Sequence, residues 1–143
     1  MGAREFSRGR RIVARLPHGG DLLREIIAAA AAAGMRTAEL RAIGALQTAR
    51  LSFYDQAAHK YDEFAIDYPT EIAALLGTVS LRDGALMVHA HATLAAADGS
   101  CRGGHLVPGC LIFACELVLQ ELVGEPLERV HDPLTGIPLW NGL

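Results

Sequence analysis

Leu86-Met87-Val88-His89-Ala90-His91-Ala92-Thr93-Leu94 is the stretch whose reading decides the fold. Apolar residues occupy both faces of it, interrupted by two histidines and Thr93. That pattern suits a strand covered on both sides, in a core or at a subunit contact. Asp83-Gly84 just before it reads as a tight hairpin turn, with a further strand expected over Thr78 to Leu81. Asp98-Gly99-Ser100 just after it reads as a loop.

Moving outward, the apolar run Cys110 to Leu122 begins as a strand, because Leu111, Ile112 and Phe113 follow a glycine-rich loop, and its end is open to a helix. Leu127 to Val130 reads as a last short strand, followed by a turn over Asp132-Pro133-Leu134-Thr135-Gly136. Toward the N-terminus, Glu71 to Gly77 fits a short helix or a strand, and Phe64 to Tyr68 a short strand. Ile43, Ala45, Ala49, Leu51 and Phe53 share one face of an extended segment, and Thr48, Arg50 and Ser52 the other, which is the period-two pattern of a half-buried strand. Asp21 caps a helix running to about Ala33, with Glu25 in its first turn and Gly34 at its end. Leu22, Leu23, Ile26, Ile27, Ala30 and Ala33 form its apolar face. Arg11 to Leu16 reads as a first strand. One or two helices and about seven strands, joined mostly by hairpins, imply an α+β fold with a largely antiparallel, barrel-like sheet. Residues 1–10 read as a flexible basic leader and 11–143 as a single domain.

The 143 residues are 51% hydrophobic and 20% charged, the balance of a chain that folds around one core. Net charge is −3, but residues 1–50 carry nine arginines against four carboxylates and residues 51–143 four basic groups against twelve. Arg8, Arg10 and Arg11 of this basic arm are candidate phosphate contacts. No apolar stretch is long enough to span a bilayer, and no secretory signal is evident. The three cysteines, Cys101, Cys110 and Cys115, form no CxxC pair. A cytoplasmic protein with reduced thiols is therefore expected. No GxSxG elbow, P-loop or GxGxxG motif is present.

The histidines carry the chemistry. Two residues apart on a strand, His89 and His91 point to the same face, about 7 Å apart at Cβ. Converging imidazoles at that spacing can share one divalent ion. Zinc takes histidine nitrogens at about 2.0–2.1 Å, and three protein ligands plus water make an open site. His105 is the candidate third ligand, because Gly103-Gly104 before it lets the backbone turn toward the neighbouring strand. Cys101 is a conceivable fourth ligand. Glu71 and Glu116, inside apolar segments, are candidate supporting carboxylates or general bases. His18, His59 and His131 lie in turn-like or polar settings and read as surface groups.

His89-Ala90-His91, Asp98-Gly99, Gly103-Gly104-His105-Leu106 and Gly109 together resemble the signature of the plant-and-prokaryote-conserved (PPC) domain family. The resemblance extends over Leu16 to Leu22, Ile43-Gly44-Ala45-Leu46, Glu71-Ile72 with Leu75 and Gly77, and Arg129, Asp132, Thr135 and Gly136. It implies an antiparallel α+β fold similar to that of acetolactate decarboxylase, a homotrimer, and a metal ion, usually zinc, on His89, His91 and His105 near a subunit boundary. In plants the domain accompanies AT-hook motifs. Here the arm reads Arg8-Gly9-Arg10-Arg11, without the proline an AT-hook requires. The functions that follow are three: a trimeric metal-binding protein acting on or sensing a small molecule, a regulator that binds DNA through its basic arm, and an assembly scaffold with a structural metal.

Overall fold

The computed structural model describes residues 2–143. The chain runs β1 (Ser7–Leu16), α1 (Leu22–Ala32), β2 (Ala38–Asp55), β3 (Lys60–Ile66), β4 (Thr70–Arg82), β5 (Ala85–Ala95), β6 (Cys101–Leu106), β7 (Leu111–Val123), β8 (Arg129–His131) and β9 (Pro138–Trp140). Seven strands form one antiparallel sheet in the order β1-β7-β2-β4-β5-β6, with β3 added beside β2. β8 and β9 form a separate two-stranded clip. Strand β2 is long enough to serve two neighbourhoods. Its first half lies between β7 and β4, and its second half pairs with β3 and touches β6 at Leu51–Leu106 and Ser52–His105. That last contact curls the sheet into a partial ring, and the expected barrel-like closure goes no further.

The helix forms where the capping chemistry places it. Asp21 accepts the Arg24 N–H at 3.1 Å and, through its other oxygen, the Gly109 N–H at 2.6 Å, tying the helix start to the loop before β7. Leu22, Ile26 and Ala30 are its buried face, and it lies against β1, β5 and β7. At its end the Met35 N–H returns to the Ala30 carbonyl at 3.0 Å, with Gly34 in the left-handed conformation that this closure needs. Among the described residues no helix is long and apolar enough to cross a membrane.

Several segments differ from the sequence reading. β1 starts at Ser7, so residues 7–10 belong to the sheet and not to a flexible leader. Glu71 to Gly77 lies within β4, and the end of the Cys110–Leu122 run stays extended to Val123, leaving α1 as the one α-helix among the described residues. β2 begins at Ala38, and its alternation changes phase. Ala38, Leu40, Ala42 and Leu46 face inward, and then Ala49 and Leu51 do. Irregular register between Leu46 and Thr48 accounts for the switch. Ile43, expected on the inward face, is therefore exposed, and Phe53 is exposed toward the outer end of the β2–β3 hairpin. The Asp83-Gly84 turn forms as expected, with both residues at positive φ. β5 is covered on one side only: Val88, Ala90, Ala92 and Leu94 are buried, whereas His91 and Thr93 are exposed and His89 is half-buried.

Candidate metal centre

The β5 alternation that buries Val88, Ala90 and Ala92 turns His89 and His91 to the opposite face. His105 on β6 stands directly across from His91 in the ladder. The glycines before it act differently from the expected sharp turn. Gly103 and Gly104 lie within β6, and a Cβ on Gly104 would approach the Ser52 carbonyl to 2.8 Å and the Leu51 side chain to 3.2 Å. The small size of Gly104 lets β6 come close to β2, and that of Gly103 lets it lie against Ala92 of β5, which brings His105 into the cluster.

One ligand atom from each of the three histidines lies within 4.8 Å of the other two. The Nε2 atoms of His89 and His91 are 3.3 Å apart. Two nitrogens bound tetrahedrally to one zinc at about 2.0–2.1 Å would be separated by about 3.3 Å, so this pair already has the spacing of a shared ion. His105 Nδ1 is buried without a hydrogen-bond partner. So is the hydroxyl of Ser52, its cross-strand neighbour. Buried polar atoms are ordinarily satisfied, and an imidazole nitrogen left without a partner on a histidine of this cluster suits a residue whose hydrogen-bonding is completed by a bound ion. The protonation state also fits. Burial pushes the His89 imidazole down to about 4, with Arg129 and the other two histidines adding to the effect. Burial, then His91 and Arg129, likewise lowers His105. Both rings are neutral near pH 7, the form that binds a metal.

The surroundings include residues to which sequence reasoning assigned no role. Arg129, on the β8–β9 clip, is buried behind His89. Its Nη2 donates to His89 Nδ1 at 3.4 Å and to Thr78 Oγ1 at 3.4 Å, Nε donates to Ser80 Oγ at 3.0 Å, and Nη1 to the Pro138 carbonyl at 3.1 Å. Its guanidinium carbon lies 4.9 Å from the centre of the Trp140 ring. Asp132 holds the clip's turn by accepting from the N–H and hydroxyl of Thr135 at 2.8 and 2.6 Å. Tyr61 flanks the other side, its ring 5.0 Å from that of His105. The signal in the sequence was Arg129-x-x-Asp132-x-x-Thr135-Gly136, whose spacing alone does not say that the clip folds back onto β4 and β5.

Other candidates lie elsewhere. Cys101 is exposed at the far end of β6, opposite Ala95, and is not in the cluster. Cys110 and Cys115 are buried thiols pushed up to about 11 by burial. Glu71 and Glu116 are exposed on β4 and β7. Glu116 sits across from Arg15 and Ile43, and neither carboxylate is a source of charge on His89 or His105. His18, His59 and His131 are exposed. In the basic arm, Arg10 is committed to Glu121 through contacts of 2.8 and 2.7 Å, and this pairing holds the Glu121 carboxyl down at about 2. Arg11 donates to Gln120 at 3.0 Å. Arg8 remains exposed beside it.

The family model described as the Plants and Prokaryotes Conserved (PCC) domain matches residues 3–123. A metal-containing protein of Archaeoglobus fulgidus is 38% identical in sequence and superposes with a TM-score of 0.93, over 98% of this chain and 99% of that one. A plant- and prokaryote-conserved (PPC) protein of Pyrococcus horikoshii is 36% identical, with a TM-score of 0.93 over 100% and 99%. The bifunctional protein GlmU of Synechococcus sp. (strain JA-3-3Ab) is 39% identical over 98 residues, which are 68% of this chain and 14% of that protein. The chain thus spans about one seventh of the curated relatives it matches.

Proposed function

Since the chain belongs to the Plants and Prokaryotes Conserved domain family, we propose that it is a metal-binding member in which His89, His91 and His105 hold one divalent ion, zinc by preference. Three neutral imidazoles leave a fourth position for water or a small molecule, and binding or sensing such a molecule is the function this arrangement suits. The observation that carries the reading is the 3.3 Å Nε2–Nε2 separation of His89 and His91 with His105 alongside. The metal in the Archaeoglobus fulgidus relative agrees with it. A bound zinc would polarise a carbonyl or activate water. His89 and His105, kept neutral by burial, supply the nitrogens.

The active form in this proposal is a homotrimer in the cytoplasm. In support, the sheet face that carries His91 also exposes Val13, Ile43 and Leu76, at 72%, 56% and 63%. Exposed apolar side chains of that size, set around Arg41 and Glu116, are the kind of surface found at a subunit contact. The three cysteines are unpaired, which suits a reducing compartment. A DNA-binding role has less behind it, because Arg10 is spent on Glu121 and the rest of the chain carries an acidic excess.

The test is metal analysis of tag-free protein by atomic emission. About one metal per chain is expected, lost in His89→Ala and His105→Ala. Less than about 0.2 metal per chain in the wild type, unchanged in the variants, overturns the reading.

A further inference from the structure

We propose that the exchangeable position of this site takes a small oxyanion, a carboxylate or a phosphate, and that the buried charge of Arg129 selects it. The inference rests on the metal reading above and concerns what the metal would carry.

Its basis is a charge imbalance. Arg129 is 6% exposed. Its partners are two hydroxyls, one carbonyl, one imidazole nitrogen and an indole face, all uncharged. Among the described residues it has no carboxylate partner, and the one group that favours its charged form is Tyr61. A guanidinium does not give up its proton, and burying it without a counter-charge is costly. The histidines are equally short of negative charge: every charged neighbour acting on His89 or His105 is a cation or another histidine. A dication on three neutral imidazoles, one ring away from Arg129, leaves the site strongly positive with no protein carboxylate to balance it.

The hydrogen bonds point the same way. A guanidinium only donates, so His89 Nδ1 accepts from Arg129 and the ring proton lies on Nε2, which faces His91 Nε2 at 3.3 Å. A metal on His89 Nε2 requires the ring proton to move to Nδ1, which keeps the ligand neutral but ends its acceptance from Arg129 and leaves an N–H facing the guanidinium. A metal-bound histidine ordinarily has an acceptor behind it that strengthens the ligand. His89 has a cation there, which weakens it and raises the demand for negative charge at the open position. An anion bound there answers both needs.

The experiment uses the full chain loaded with cobalt(II), whose visible absorption reports the ligand set, at constant ionic strength. Sodium acetate and sodium phosphate are titrated separately, with sodium perchlorate as the non-coordinating control. A saturable spectral change with acetate, phosphate or both, absent with perchlorate, is expected, and the arm that responds identifies the oxyanion. Trp140, the single tryptophan, stacks on Arg129, so its fluorescence should change over the same concentrations. Arg129→Gln should weaken the anion at least about tenfold, and Arg129→Lys should keep most of the affinity. Cobalt content near one per chain with no anion-dependent change in the wild type overturns the inference and leaves the metal reading standing. Absence of cobalt removes both. Equal anion affinity in folded Arg129→Gln also overturns it. If that variant does not fold, as circular dichroism would report, the wild-type titrations decide.

Discussion

Leu76 stands directly opposite His91 in the β4–β5 ladder, and both side chains are exposed on the face turned away from the core. A leucine left 63% exposed beside a candidate ligand is hard to account for in an isolated chain. It is accounted for if a second copy covers it. Replacing it with a charge should then be far more damaging to assembly than to folding.

Sedimentation velocity tests this directly. The wild type is expected at three times 15.2 kDa. Leu76→Glu should dissociate it toward the single-chain mass while its circular dichroism stays unchanged. A wild type that sediments as one chain at micromolar concentration would refute the trimer.

Metal removal separates a structural staple from a working site. His91 and His105 are already neighbours in a hydrogen-bonded ladder, so an ion across them adds little to the topology. Chelation is expected to lower Tm by roughly 5–15 °C, the scale of losing a ligand present at about a hundred times its Kd, and to leave the oligomer intact. Loss of the assembly on chelation would favour the scaffold reading.

The helix and the hairpins were legible because their signals are local. Asp21 caps, Asp83-Gly84 turns, and the apolar face of α1 needs only its own 3.6-residue period. The histidine pair was legible for the same reason: a spacing of two on a strand fixes a shared face. What escaped depends on partners distant in sequence. Ile43 was expected inside because period two was carried through Leu46 to Thr48, where the register is irregular. The strand at Pro138–Trp140 is three residues long and exists only by pairing with β8. Arg129 gained its role only when that clip folded over Ser80 and His89, a contact bridging 40 residues or more. Glu71 and Glu116 attracted attention as charges in apolar runs, and on a one-sided sheet such charges simply face outward.

Acid should destabilise the metal-free protein over a defined window. The folded chain keeps His89 neutral down to about pH 4, whereas an unfolded histidine takes up its proton near 6.5. Between those values the unfolded chain binds more protons, so stability falls as pH falls through the window. His105, also lowered by burial, acts in the same direction. Urea midpoints measured on metal-free protein should decline from pH 7 to pH 4, and the decline should be shallower in His89→Gln. A flat profile in the wild type would show that burial does not hold His89 neutral.

Gly44 offers a sharper test of the central strand. It adopts φ +149°, and a Cβ there would come within 2.2 Å of the Ala114 carbonyl and 2.8 Å of the Cys115 Cα on β7. Those are backbone atoms in a paired ladder and cannot move aside cheaply. Gly84, in the β4–β5 hairpin, also has positive φ, at +75°, but nothing lies within 4 Å of its would-be Cβ. The pair therefore separates conformational strain from steric exclusion. Gly84→Ala should cost about 1 kcal/mol, the strain of the left-handed region alone. Gly44→Ala should cost about 3 kcal/mol or more, because β7 must also shift away from β2. Urea denaturation of both variants measures the difference, and equal losses would mean that the β2–β7 contact at Gly44 is looser than its geometry requires.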